Sequence, residues 1–167
     1  MSGSRRYLAA KFGEHLEPAR QAMAELAAAY EPADLYRRPA SRFVAGLLGD
    51  VNLIDGRLGR AEPGGIRSVE TAFGLLRASG EGEAGNAVVI AVRPERLIVR
   101  GEEGLHGLSG LLTEATFLGD RIRYRVEIAN GTTLRASAAL PAPGPIPAVG
   151  ETVTLGVPAE SAWILPA

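Results

Sequence analysis

The densest polar constellation in the sequence is a row of arginines: Arg121, Arg123 and Arg125 at every second position, with Arg135 beyond a turn. A spacing of two puts side chains on one face of a β-strand. Guanidinium groups stay charged and donate hydrogen bonds in a planar fork, so such a face holds anions and moves no protons. A basic β face can also bind single-stranded nucleic acid, but that needs aromatic platforms for base stacking. This face offers none, so a solvated or interface strand face is the preferred reading. The second polar cluster is Arg93-Pro94-Glu95, directly after the apolar run 87–92. Proline breaks a ladder there and turns the chain. Arg93 and Glu95 could pair to brace a barrel corner, or could face a partner domain or an anionic ligand; the brace is preferred, because most surface ion pairs carry little energy.

Other chemistries find no support. A P-loop requires a lysine after a glycine-rich turn, and Lys11 is the only lysine, preceded by Tyr7-Leu8-Ala9-Ala10. Gly107-Leu108-Ser109-Gly110 echoes the signature loop of transporter ATPases but sits inside a β pattern. His15 and His106 are the only histidines and lie far apart, which disfavours a metal site. No strand–Gly-x-Ser-x-Gly–helix elbow points to a nucleophilic serine. The absence of cysteine excludes disulfides and thiolate chemistry. The expectation is no catalytic residue, no cofactor and no metal.

Several elements must position these side chains. The chain has 167 residues and a hydrophobic content of 46%, with aromatics at 5%, so a core would rest on Leu, Val and Ile. A domain of this length buries about 68–70% of its unfolded surface. The net charge of −1 gives no global pull toward nucleic acid or anionic lipid. No apolar stretch approaches the roughly 20 residues of a membrane helix, and no signal peptide is expected. Residues 16–30 carry a thin, alanine-rich helical stripe. Pro32 opens a second short turn over 33–38 that Pro39 closes. Ser41 is suited to N-cap a helix over 42–48, with Gly49 beyond its end.

From Val51 the pattern is β. Strands are predicted over 51–58, 66–76, 87–93, 96–100, 108–118, 121–128, 132–138, 152–157 and 163–165, separated by Gly- and Pro-rich turns. Short strands at this spacing suggest a sandwich or small barrel. A three-residue loop, Ala129-Asn130-Gly131 with Gly131 left-handed, pairs Ile128 with Thr132, Val126 with Leu134 and Tyr124 with Ala136 on the buried face. Arg121, Arg123, Arg125, Glu127, Thr133, Arg135 and Ser137 then share the other face. The register sets Arg125 opposite Arg135, a like-charge pair that the diagonal Glu127 is expected to relieve.

Pro32-Ala-Asp-Leu-Tyr-Arg-Arg-Pro-Ala40, Phe43-Val-Ala-Gly-Leu-Leu-Gly-Asp-Val-Asn52, Val92-Arg-Pro-Glu95, Gly110–Gly119, Asn130-Gly131 and Val149-Gly-Glu-Thr-Val-Thr-Leu155 occur in that order. Together they resemble the C-terminal region of spermidine/putrescine- and iron-type ABC importer ATP-binding subunits, with its transport-associated OB (TOBE) module. Residues 1–28 show no such resemblance. The resemblance implies a mainly β fold: an OB-like barrel at 51–167 behind an N-terminal helical arm at 1–50. It implies a non-catalytic regulatory and dimerisation module, without the nucleotide-binding machinery. The partners implied are a second copy, an ABC ATPase domain and a membrane permease, at the cytoplasmic side of a membrane and without insertion. The alternative is a stand-alone OB-like binder of a small anion or single-stranded nucleic acid. The contact candidates are Arg93, Glu95, Arg121, Arg123, Arg125 and Arg135.

Overall fold

The computed structural model describes residues 32–99, 107–142 and 144–167. Lys11, His15, His106 and the expected helix at 16–30 lie outside the described residues. Contacts divide the chain into two units, Met1–Arg38 and Pro39–Ala167. The described part of the first is helix α1 (Pro32–Arg37), with proline at its first position, where a missing N–H costs no intrahelical bond. The carbonyl of Asp34 accepts from the Arg38 N–H at 2.7 Å.

The second unit opens with helix α2 (Arg42–Leu47). Ser41 has extended backbone and its Oγ accepts from the Val44 N–H at 3.2 Å, so the expected N-cap is in place. Gly49 follows at φ 131°, a conformation that ends the helix without a Cβ penalty.

Among the described residues ten strands follow: β1 (Asn52–Glu62), β2 (Ile66–Thr71), β3 (Gly74–Ser79), β4 (Ala87–Val92), β5 (Ile98–Val99), β6 (Gly107–Phe117), β7 (Arg121–Glu127), β8 (Thr133–Ala139), β9 (Thr152–Gly156) and β10 (Ala162–Pro166). They form an OB-like β body. Strands β1, β2, β3, β10 and β4 close a barrel in that order, and β5, β9, β6, β7 and β8 form a second sheet. The last strand therefore returns from the second sheet to shut the barrel, antiparallel to β4 and parallel to β3.

Strand β4 explains the apolar run read from the sequence. Val88, Ile90 and Val92 enter the main core, while Val89 and Ala91 turn outward and are covered with Ala45 and Leu165. A strand buried on both faces reads as a continuous apolar run rather than an alternation. The main core is shared by both sheets: Ile54, Leu58 and Leu76 of the barrel belong to one cluster with Leu112, Val126 and Leu155.

Two strand expectations are corrected. The single strand expected over 66–76 is a hairpin, β2 and β3, joined through Ala72 and Phe73. Thr71 makes the turn: its Oγ1 donates to the Gly74 carbonyl at 2.7 Å and accepts from the Phe73 N–H at 3.1 Å. Gly74 sits at φ 111°, so the turn signal was a Thr-x-x-Gly rather than Asn-Gly. Strand β1 also runs four residues past the expected Leu58, through a register shift between Leu58 and Ala61 that keeps it paired with β2.

Candidate polar cleft on the second sheet

Strand β7 alternates without a break. Ile122, Tyr124 and Val126 are buried; Arg121, Arg123, Arg125 and Glu127 are exposed. The β7–β8 hairpin has the expected register, with Tyr124 opposite Ala136 and Val126 opposite Leu134. The Ile128 N–H donates to the Thr132 carbonyl at 2.8 Å, which closes the three-residue loop. Asn130 and Gly131 are both left-handed, at φ 61° and 70°. Asparagine tolerates that region better than most side chains.

Arg125 does stand opposite Arg135, and two acids separate the charges. Arg125 Nε pairs with Glu114 Oε2 at 3.1 Å, and Arg135 Nη1 with Asp50 Oδ1 at 2.9 Å. The relief expected from Glu127 is thus corrected: among the described residues it comes from Glu114, which stands opposite Arg125 on β6, and from Asp50, which precedes β1. Arg121 pairs with its neighbour Asp120, Nη2 to Oδ2 at 2.9 Å. That hydrogen bond holds the Asp120 carboxyl below the ordinary carboxylate range and raises the Arg121 guanidinium further.

Arg123 differs from the other three. Its cross-strand neighbours are Thr116 on β6 and Ser137 on β8. It has no carboxylate partner among the described residues. Arg123, Arg125 and Arg135 together line a cleft of about 260 Å³, with Asp50, Glu114, Thr116, Ser137 and Pro94 also on its wall. Of the six contact candidates, these three arginines are brought to one place. Arg121 does not line that cleft.

Arg93 is 5% exposed, and its Nη1 donates to the carbonyls of Ala45, Gly49 and Asp50 at 2.9, 3.2 and 3.1 Å. Those are carbonyls at and beyond the C-terminal end of α2, which have no intrahelical donor. Arg93 therefore ties α2 to the end of β4. Pro94 is buried in the following 3₁₀ turn (Pro94–Arg96) and lines the cleft. Glu95 is exposed in the same turn, close enough for its charge to act on Arg121.

Asn52 was not foreseen as a key residue. It is buried at the start of β1, and its side-chain amide bonds both backbone groups of Arg135: Oδ1 accepts from the N–H at 2.8 Å, and Nδ2 donates to the carbonyl at 2.8 Å. Nδ2 also reaches the Val92 carbonyl at 3.3 Å. One amide thus does for β8 what a neighbouring strand would do, and it fixes the cleft wall to the barrel. The hairpin register alone could place Ser137 beside Arg123. Asp50 and Asn52 lie 85 and 83 residues from Arg135, with no local signal to mark them.

Residues 90–165 match the sequence model of the TOBE domain. The chain is 31% identical over 142 residues to the spermidine/putrescine import ATP-binding protein PotA 1 of Pseudomonas aeruginosa, covering 80% of this chain and 36% of that protein. It is 36% identical over 112 residues to the PotA of Rubrobacter xylanophilus, covering 64% and 29%. It is 32% identical over 101 residues to the Fe(3+) ions import ATP-binding protein FbpC of Brucella abortus, covering 60% and 28%. The chain thus spans about a third of the length of these relatives, in their C-terminal part. In fold it is similar to the cytoplasmic molybdate-binding protein ModG, with a TM-score of 0.56 at 14% identity, over 70% of this chain and 96% of ModG. Residues 90–165, from the middle of β4 into β10, are a TOBE domain, set in a chain whose relatives are the C-terminal parts of importer ATP-binding subunits.

Proposed function

We propose that this chain is a non-catalytic regulatory and dimerisation module of an ABC importer ATP-binding subunit. The observation that carries the reading is the TOBE match over 90–165 within similarity that reaches back across most of the chain. In this reading residues 1–50 form the helical arm and link, and residues 51–167 form the module that contacts partners: a second copy, the ATPase domain and the permease. The site is the cytoplasmic face of a membrane, reached through the transporter. None of the described helices is long and apolar enough to cross a bilayer.

The cleft chemistry supports a holding role. Arginines set against carboxylates and hydroxyls orient charge and do not exchange protons near neutral pH. Self-association has material on the surface. Phe117 is 67% exposed and Leu118 45% exposed where β6 turns toward β7. The edge strand β8 is less available, because Asn52 takes both backbone groups of Arg135, and covered edges resist pairing.

The non-catalytic part is tested by calorimetric titration of the purified chain with Mg-ATP and by a phosphate-release assay. No heat of binding and no release above a buffer blank are expected. Turnover that follows the protein through successive purification steps would overturn the reading.

A further inference from the structure

We infer that Asn130 is a site of covalent self-modification, deamidation through its own backbone, and that the β7–β8 hairpin gates the reaction. The inference goes beyond the assembly role and does not rest on it; its test reads a chemical product, whatever the oligomeric state. The reaction needs no enzyme and no partner other than water. The backbone nitrogen of Gly131, on losing its proton, attacks Cγ of Asn130. The N–Cγ bond forms, the Cγ–Nδ2 bond breaks, and the side-chain nitrogen leaves as ammonia. Water then opens the five-membered imide. Opening at Cγ gives aspartate, and opening at the backbone carbonyl carbon gives isoaspartate, with the chain running through the side chain. A glycine after the asparagine leaves the attacking nitrogen without a neighbouring Cβ. Asn130-Gly131 is such a pair, and both residues are exposed. The other two asparagines are followed by larger residues: Asn52 by Leu53 and Asn86 by Ala87.

The fold opposes the reaction at this residue. Ring closure requires the Gly131 nitrogen to eclipse Cβ about the Asn130 Cα–C bond. At ψ 24° it lies close to eclipsing the Asn130 nitrogen instead, away from the side chain. Turning ψ breaks the loop, because the Ile128 N–H bond to the Thr132 carbonyl at 2.8 Å and the Thr132 N–H contact with the Ala129 carbonyl at 3.4 Å depend on it. Asn130 is the residue other than glycine that holds a positive φ among the described residues, so the turn is fixed by a conformation few side chains accept. Deamidation therefore runs through a local opening of the hairpin tip. The two products differ in their effect. Aspartate keeps the backbone and tolerates the left-handed region. Isoaspartate adds a methylene to the backbone of a three-residue loop whose length sets the register. That register places Arg125 opposite Arg135, where Glu114 and Asp50 meet them.

The test incubates the full chain at mildly alkaline pH, folded in buffer and unfolded in urea, and follows all three asparagines by peptide mapping with an isoaspartate-specific methylation assay. Product is expected at Asn130 ahead of Asn52 and Asn86 in both samples. The folded chain should react about tenfold or more slowly than the unfolded one, since local opening of a hairpin carries a free-energy cost. Gly131→Ala should slow the reaction in urea. The isoaspartyl form, separated by ion exchange and returned to buffer, should show displaced amide NMR signals for Arg125 and Arg135. Asn130→Asp, which carries the same added charge on an unchanged backbone and is taken through the same urea step, should keep them. Equal rates in buffer and urea would overturn the gating. Faster reaction at Asn52 or Asn86, or an undiminished rate in Gly131→Ala, would overturn the site. Arg125 and Arg135 signals that are the same in the isoaspartyl form and in Asn130→Asp would overturn the effect on register.

Discussion

Asn52 carries more structure than its size suggests, because one amide serves three backbone groups on two other strands. Asn52→Ala leaves the Arg135 N–H and carbonyl without that partner. A buried polar group left unsatisfied costs about 1–3 kcal/mol. The expected loss in a urea denaturation series is of that size. Asn52→Asp should be at least as damaging at neutral pH, since it keeps the acceptor for the N–H but turns an oxygen toward two carbonyls. A neutral result for both variants would contradict this role for Asn52. Arg93 is the second such residue. Arg93→Gln should cost about 1.5–3 kcal/mol, the range for hydrogen bonds to charged groups. Its mark should be local: faster amide exchange over Ala45–Leu48, at the end of α2. Arg93→Lys should not rescue it, because a lysine offers a point charge instead of a planar fork. Asp120 gives a pH signature. Its folded-state pKa is depressed, first by the side-chain hydrogen bond from Arg121. A depressed carboxyl adds stability that is present above its unfolded pKa and is lost as pH falls through the folded one. The pair is exposed to water and screened, so the NMR titration midpoint of the Asp120 carboxyl is the quantity to follow. It should lie below the ordinary carboxylate range, and it should rise toward that range in Arg121→Gln.

At the scale of elements, close approach between strands sets which glycines can change. A Cβ on Gly110 of β6 would lie 2.6 Å from the Glu127 carbonyl oxygen and 2.6 Å from Val126 Cγ1. Gly110→Ala must shift β6 against β7, and overpacking of this kind costs about 1–3 kcal/mol. In α2, a Cβ on Gly46 meets nothing within 4 Å. Gly46→Ala should stabilise by about 0.5–1 kcal/mol through helix propensity. Thermal melts of the two variants should move in opposite directions. The elements that sequence reasoning found share a cause: each carried its own local signal. Ser41 and Gly49 bracket α2, and Asn130-Gly131 fixes the β7–β8 register, which in turn places Ser137 beside Arg123. The elements it mistook lacked one. The β2–β3 turn is built by a threonine hydroxyl within an apolar run. The barrel closes through β10, whose neighbours β3 and β4 are remote in sequence. The acids of the cleft fall in the same class. Glu114 reaches Arg125 only because the β6–β7 register shifts between Leu112 and Glu114, leaving Thr113 as the extra residue. Asp50 comes from the far side of the barrel sequence. The arginine face was thus legible as a face, while the neutralisation of its members by Asp120, Glu114 and Asp50 was set by tertiary pairing.

At the scale of the whole molecule, one core joins the closed barrel and the second sheet, so the β body should unfold as a single cooperative unit. Its polar cleft and its exposed apolar tip lie on the second sheet, which the TOBE match covers. The tip at Phe117 and Leu118 is the surface on which self-association is expected to depend. Phe117→Asp should leave the melting temperature within a degree or two, since the side chain adds little to the core, and should weaken dimerisation at least tenfold. In the proposed role this body assembles with other proteins, a second copy first among them. Sedimentation equilibrium of the purified chain over a hundredfold concentration range tests it most directly. A mass near twice that of one 17.5 kDa chain is expected at the upper concentrations, falling toward one chain on dilution. A single-chain mass that holds unchanged up to hundreds of micromolar would contradict it.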